Sequence, residues 1–296
     1  MKVLIKQCDW EITTKCNLNC LHCIINKQRK ELNTVQCKKI IDILNKLGCK
    51  TINFTGGEPL LRKDFFEILT YSNSNKLKNR IFTNGTLINK QNIKSLKNLI
   101  EYIGFSLDGL RTSNDKIRGE NSFKKTINSI KLAKRNSINF GIYATLNKLN
   151  LNKLEEFLVF IKKLKPMNVS LNEVVFRGKA KKNRKDLLCN LDSDIILAKI
   201  KKIFPKERFR KEKGCLINPK KIFLISDGRF YLCTEISQLK PSLYIGRFLP
   251  PNFRKYSLFL KNYKNLKLPS KCPYVTYASD KISINLLTKN KCWMVR

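Results

Sequence analysis

From residue 8 to about residue 176, short apolar runs alternate with segments of helical spacing, and this alternation restricts the fold more than any other feature of the chain. The strand-like runs are WEITT (10–14), TINF (51–54), RIFT (80–83), YIGFSL (102–107), FGIYATL (140–146) and NVSLNEVVF (168–176). Between them, TVQCKKIIDILNKLG, KDFFEILTYS, NKQNIKSLKNLI, SFKKTINSIKLAKRN and NKLEEFLVFIKKLK place apolar residues three and four apart, the period of a helix with one buried face. The first of these is expected to start at a cap on Thr34 and to stop at Gly48. Mostly apolar strands, each followed by a helix, imply a parallel sheet covered by helices, because such strands are buried on both faces. Six βα units suit an open doubly wound sheet or a partly closed barrel, and periodicity does not separate the two.

After Phe176 the regular alternation fades. Residues 177–214 are basic and read as a loop plus the helix LDSDIILAKIKKIF. From Gly214 onward GCLINPKKIFLISDGRFYLC reads as two strands joined by a turn at Asp227-Gly228. The expected organisation is therefore an α/β unit over residues 1–176, a basic connection over 177–214 and a small module over 215–296. Neither an internal repeat nor a low-complexity linker is present.

The loops at the strand ends carry the chemistry. CNLNCLHC (16–23) spaces three cysteines as C-x3-C-x2-C just after the first strand, where α/β sheets and barrels place their sites. A structural zinc site is closed by four ligands, and the only histidine, His22, lies inside the motif, so zinc needs a distant fourth cysteine. An iron–sulfur cluster on three thiolates instead leaves one iron open to a substrate or cofactor. Gly56-Gly57-Glu58-Pro59 follows the second strand. Two glycines allow a backbone to approach a ligand with no Cβ between, and Glu58 offers a carboxylate to an ammonium group. FTNG (82–85) and FSLDG (105–109) follow the third and fourth strands and bring Asn84, Ser106 and Asp108 to the same sheet edge.

In these motifs, and in IRGENSF (117–123), the chain resembles the radical S-adenosylmethionine (SAM) superfamily over roughly residues 8–176. The resemblance implies a partial (β/α)6 TIM-like barrel holding a [4Fe–4S] cluster on Cys16, Cys20 and Cys23, with the fourth iron chelated by the amino and carboxylate groups of SAM. It further implies that Gly56, Gly57 and Glu58 hold the SAM amino group, with Asn84 in the same cofactor site. Ser106 and Asp108 would lie near the ribose, Arg118 near the carboxylate and Thr145 near the adenine, while His22 packs on the cluster loop. One-electron reduction from a flavodoxin- or ferredoxin-type donor would yield methionine and a 5′-deoxyadenosyl radical that abstracts a substrate hydrogen. Cys37 and Cys49 read as small core residues, and Cys8 has no reading.

Cys215, Gly228 and Cys233 form C-x12-G-x4-C, which is similar to the opening of SPASM and Twitch extensions, where a β-hairpin supplies two ligands of an auxiliary cluster. RGKAKKN upstream and LYIGRF downstream add to that likeness. A full SPASM module continues with C-x2-C-x5-C-x3-C, whereas this chain has only Cys272 and Cys292, and Ala278 stands where a further cysteine is expected. Cys215, Cys233, Cys272 and Cys292 complete one auxiliary [4Fe–4S] cluster and not two. The alternative is a module that has lost its cluster and keeps buried thiols. Cys189 is spare: a ligand, a hydrogen-atom donor, or neither.

A net charge of +38 suits an acidic partner such as nucleic acid, an anionic membrane face or an acidic peptide. The basic residues are spread along the chain rather than gathered in a stripe, however, and the densest run, RGKAKKNRKD, has no interleaved aromatics for stacking on bases. No apolar run reaches membrane-span length and the N-terminus has no signal-peptide pattern, so the expected location is the cytoplasm and the eleven cysteines are read as reduced thiols or ligands. The resemblance implies an enzyme that modifies a peptide by cross-linking, oxidation or epimerisation, as in peptide natural-product maturation. Only 15 residues precede Cys16, so an acidic leader is expected to need a separate leader-binding protein or the basic stretch 177–214. Two alternatives stay open. One is a small-molecule dehydrogenase or epimerase acting on an amino sugar or a tetrapyrrole side chain. The other is a nucleic-acid-binding protein with a structural cluster, which would bind with strong salt dependence and cleave no SAM.

Overall fold

In a computed structural model that describes residues 5–25, 27, 29–189, 192–206, 210–212, 220–231, 246–247, 274–278 and 282–287, six parallel strands pair in chain order. They are β1 (Gln7–Thr13), β2 (Thr51–Gly56), β3 (Lys78–Thr83), β4 (Tyr102–Ser106), β5 (Asn139–Leu146) and β6 (Asn168–Glu173). The connections carry α1 (Thr34–Lys46), α2 (Phe65–Ser74), α3 (Asn92–Leu99), α4 (Arg111–Arg118), α5 (Ser122–Arg135) and α6 (Leu154–Leu164). Parallel neighbours in strict chain order make the α/β partial barrel rather than a sheet that reverses at a switch point.

Apolar faces explain most of this. α1 buries Cys37, Ile40, Ile41 and Leu44, a stripe at helical spacing, against the sheet. Trp10 of β1 stacks on Phe54 of β2 with centroids 5.8 Å apart, and Phe65 of α2 meets Phe54 edge-on at 5.6 Å. One local expectation changes, and one helix had no counterpart in the sequence pattern. The cap of α1 is Asn33, which exchanges hydrogen bonds with Gln36 as a capping box, while the Thr34 hydroxyl donates to Asp64 Oδ2 at 2.5 Å. α4 has no apolar stripe and buries Ser113, Asn114 and Arg118 beside Ile117, so its pattern was invisible to a hydrophobic period.

Beyond β6 come α7 (Lys179–Lys182), α8 (Arg184–Leu187) and α9 (Ser193–Ile203), the last lying on α6. The remaining described strands are β7 (Arg210–Glu212), β8 (Lys221–Leu224), β9 (Arg229–Tyr231), β10 (Gly246–Arg247), β11 (Tyr274–Ala278) and β12 (Ile282–Leu287). β8 and β9 form the expected antiparallel hairpin through Asp227-Gly228, with Gly228 at φ 87°. These strands continue the barrel sheet at both edges, in the order β10-β9-β8-β1-β2-β3-β4-β5-β6-β12-β11-β7. β8 lies parallel to β1 with Lys221 opposite Gln7, and β12 lies parallel to β6 with Ile282 opposite Val169. No helix among the described residues is long and apolar enough to cross a membrane.

Candidate active site at the strand ends

The cysteine loop leaves β1 at Thr13 and is pinned at both ends. Glu31 reaches back from the far end, where its Oε1 accepts from Thr13 Oγ1 at 2.8 Å, Thr14 N at 2.8 Å and Thr14 Oγ1 at 3.1 Å. Burial opposes ionisation of Glu31, but these donors hold its carboxyl below the usual range. The Arg62 guanidinium donates to Ile12 O at 2.9 Å and Leu32 O at 2.8 Å, and pairs with Asp64 at 2.7 Å. Within the loop, Leu18 N approaches Cys16 Sγ at 3.4 Å, Cys23 N donates to Cys20 O at 3.2 Å and Leu21 N donates to Ile117 O at 2.9 Å. Cys16, Cys20 and Cys23 thereby line one cavity of about 700 Å³. Burial raises the Cys16 thiol and pushes Cys20 up to about 11, so both need a strong positive partner to lose their protons.

The second loop is locked against the first. Gly57 N donates to Thr13 O at 2.8 Å and Glu58 N to Lys15 O at 2.7 Å. A Cβ on Gly57 would sit 2.1 Å from Lys15 O, and Gly56, at φ 133°, would bring one to 2.2 Å from Thr13 O. The space the two glycines leave is thus filled by the backbone of Thr13 at the end of β1 and of Lys15 just beyond it, although both glycines also line the cavity. Glu58, the carboxylate expected to face an ammonium group, is not among the residues that line the cavity. It is fully buried and already accepts from Thr83 Oγ1 at 2.8 Å, Asn84 N at 2.8 Å and Leu60 N at 3.2 Å. Its carboxylate ties the second loop to the third, and burial pushes its pKa up to about 7.

Asn84, set by that bond, turns its Nδ2 to Asn17 Oδ1 at 3.0 Å and towards Cys16 Sγ at 3.8 Å. Asp108 is fully buried; its Oδ1 accepts from Thr145 N at 2.7 Å, and its Oδ2 stands 2.6 Å from Arg118 Nε and 3.5 Å from His22 Nε2. Burial alone would raise Asp108, yet Arg118 and His22 hold it below its ordinary value. Burial lowers His22 to about 4, so the imidazole is neutral at pH 7, and its Nδ1 makes no hydrogen bond among the described residues. Ser106, Arg118, Thr145, Asn84 and His22 all line the cavity with the three cysteines. Cys189 is half-buried and is not among the residues that line the cavity, and Cys215, Cys233, Cys272 and Cys292 lie outside the described residues.

Several site residues have no sequence signature. Glu31 and Arg62 act across 17 to 50 residues of chain. Lys221 reaches the cavity only because β8 pairs with β1, and its Nζ lies 2.7 Å from Asp9 Oδ2. Lys179 and Asn183 bond the cysteine loop from 160 and 162 residues away.

The radical SAM superfamily profile matches residues 10–161. Over 220 residues the chain is 32% identical to Fe-coproporphyrin III synthase of Methanosarcina barkeri, covering 70% of this chain and 55% of that protein. Over 155 residues it is 33% identical to the mycofactocin maturase MftC of Mycolicibacterium smegmatis, covering 50% of this chain and 39% of that one. Among solved structures, anSMEcpe with bound AdoMet matches with a TM-score of 0.65 at 18% identity, over 90% of this chain and 81% of that one. The same protein has been solved with AdoMet and the Cp18Cys peptide. The chain spans about half the length of the synthase and two fifths of the maturase.

Proposed function

Because the chain belongs to the radical SAM superfamily, we propose that its cavity holds a [4Fe–4S] cluster on Cys16, Cys20 and Cys23 with SAM beside it, and that the enzyme abstracts hydrogen from a peptide. The donor set fits such a group. The three thiols line one cavity. Three cysteine thiols on one cavity are the ligand type of a [4Fe–4S] cluster that leaves one iron open. When bound, the cluster and SAM together supply a 5′-deoxyadenosyl radical.

The protein's own share is placement. Gly56 and Gly57 bring bare backbone to the cavity wall, Asn84 turns an amide towards Cys16, and Arg118 offers a cation suited to a carboxylate, held in place by Asp108. Ser106 and Thr145, at the ends of β4 and β5, line the same cavity and would face the nucleoside of SAM. The observation that carries the reading is the convergence on one cavity of three thiols, a glycine rim and Arg118, which buried Asp108 holds in place.

A peptide substrate is supported by the likeness to a maturase, by a fold shared with anSMEcpe, solved with Cp18Cys peptide, and by a net charge of +38 that would draw an acidic segment. A second reading, modification of a tetrapyrrole side chain, is favoured by the longer match to Fe-coproporphyrin III synthase. Cys215, Cys233, Cys272 and Cys292 would hold one auxiliary [4Fe–4S] cluster. The test is anaerobic reconstitution with SAM and dithionite, which should form 5′-deoxyadenosine; no product from iron-loaded protein would refute the enzyme reading. Added Fe-coproporphyrin III should leave that rate at its basal value; a rise would replace the peptide reading by the second one.

A further inference from the structure

Neighbouring strands carry one polar rung on the inner face of the barrel. Asp9 of β1 stands opposite Asn53 of β2, Asn53 opposite Arg80 of β3, Arg80 opposite Tyr102 of β4 and Tyr102 opposite Asn139 of β5. Residues of one register row share a face of the sheet, and their chain neighbours take the other. Those neighbours are Cys8, Ile52, Ile81, Ile103 and Phe140, all buried in the apolar core. The inside of a barrel is ordinarily packed with branched apolar side chains. A rung of acid, amide, base, phenol and amide in that place gives up packing and points to a bound polar group.

The rung lines a second cavity of about 640 Å³, nearer the starts of the strands than the cysteine loop, which follows the end of β1. Charges on its wall balance: Lys221 Nζ lies 2.7 Å from Asp9 Oδ2, and Arg80 Nε lies 2.6 Å from Glu101 Oε1. Hydrogen-bonding capacity of both kinds is left over. Asn53 gives its Nδ2 to Asp9 Oδ1 at 2.7 Å, but its Oδ1, on a residue only 7% exposed, accepts from nothing among the described residues. The two terminal nitrogens of Arg80 likewise have no acceptor among them. Aromatic rings complete the wall. Phe82 lies 5.0 Å from Tyr143 and 6.3 Å from Tyr102, and the two tyrosine hydroxyls meet at 3.3 Å. Gly104 makes room for them, since a Cβ there would come within 2.5 Å of the Phe82 ring. Asp9, Asn53 and Arg80 line this cavity and not the one with the cysteines, whereas Phe82 and Lys221 line both.

We propose that the second cavity binds a free aromatic α-amino acid as its zwitterion. The carboxylate would meet the terminal nitrogens of Arg80, the ammonium would meet Asp9 and Asn53, and the side chain would lie against Phe82 and Tyr143. A wall with two cations and two anions, net neutral on a chain of +38, favours a ligand that carries both signs over a polyanion. Because Phe82 and Lys221 border both cavities, the amino acid would bear on a wall of the cavity that holds the cysteines.

Calorimetric titration of the reconstituted protein with L-phenylalanine, with and without SAM, tests this. The expected result is saturable 1:1 binding that SAM does not displace. 3-Phenylpropionate, which lacks the ammonium, and phenethylamine, which lacks the carboxylate, should each bind roughly tenfold or more weakly. Arg80→Gln should bring L-phenylalanine down to the level of phenethylamine, and Asp9→Asn should bring it down to that of 3-phenylpropionate. Arg80→Gln should also melt near the wild type and keep dithionite-driven 5′-deoxyadenosine formation. No saturable binding by the wild type, equal binding of the three probes, equal affinity in wild type and Arg80→Gln, or displacement by SAM would overturn the proposal. So would sorbitol binding as tightly as L-phenylalanine, which would make the cavity a polyol site.

Discussion

Arg118 Nε stands 2.6 Å from Asp108 Oδ2, and both side chains are buried. Neither charge has bulk water to fall back on, so each depends on the other. Asp108→Ala is expected to lower unfolding free energy by about 3–5 kcal/mol in urea titration, because it leaves a buried guanidinium uncompensated. Asp108→Asn combined with Arg118→Gln should cost less than the sum of the two single changes, since the pair is removed together. Additive losses would show that the two charges do not act as a unit.

Glu58 links stability to pH. Burial outweighs its three hydrogen bonds and places its pKa at about 7, above the value of about 4.3 for an unfolded glutamate. Between these values the native state binds the proton and the unfolded state does not, so stability falls as pH rises from about 4.5 to about 7 and then levels off. The whole span is worth at most about 4 kcal/mol at 1.36 kcal/mol per unit. Urea titrations at pH 5.5 and 8 should show wild type losing stability across that interval and Glu58→Gln losing less. Equal losses would mean that Glu58 titrates elsewhere.

Two glycines with positive or crowded geometry should respond differently to alanine. A Cβ at Gly57 would meet the Lys15 backbone carbonyl at 2.1 Å, whereas Gly119, at φ 116°, has nothing within 4 Å. Gly119→Ala carries backbone strain alone, about 1–3 kcal/mol. Gly57→Ala must also part the first two loops, so it should cost more in thermal melts and reduce iron retained after reconstitution. A Gly57 variant that loads iron normally would contradict the loop contact.

The cysteines should fall into two groups. Cys37 and Cys49 are buried in the core, and their alanine variants should cost on the order of 1 kcal/mol of transfer free energy with iron content unchanged. Cys20→Ala should instead lose iron and sulfide and form no 5′-deoxyadenosine. Iron loss in the Cys37 variant would place a ligand where the structure has a core thiol.

Much of the barrel was legible because its strands are apolar runs and five of its helices carry apolar stripes; α4 was not, because it buries Asn114 and Arg118 instead. The hairpin around Gly228 could be read, but its place beside β1 could not, since a period-two pattern does not say which strand will be its neighbour. At the site, Cys16, Cys20, Cys23 and Gly57 stand out by spacing and residue type. The inward turn of Glu58 and the support from Glu31, Lys179 and Asn183 depend on contacts between distant parts of the chain, for which a single sequence has no local signal.

Electron paramagnetic resonance of the anaerobically reconstituted, dithionite-reduced protein, recorded with and without SAM, tests the central claim most directly. An iron left short of protein thiolate predicts a [4Fe–4S] signal in wild type whose g-values move when SAM binds. A signal that SAM leaves unchanged, or a protein that carries zinc in place of iron, would contradict the account.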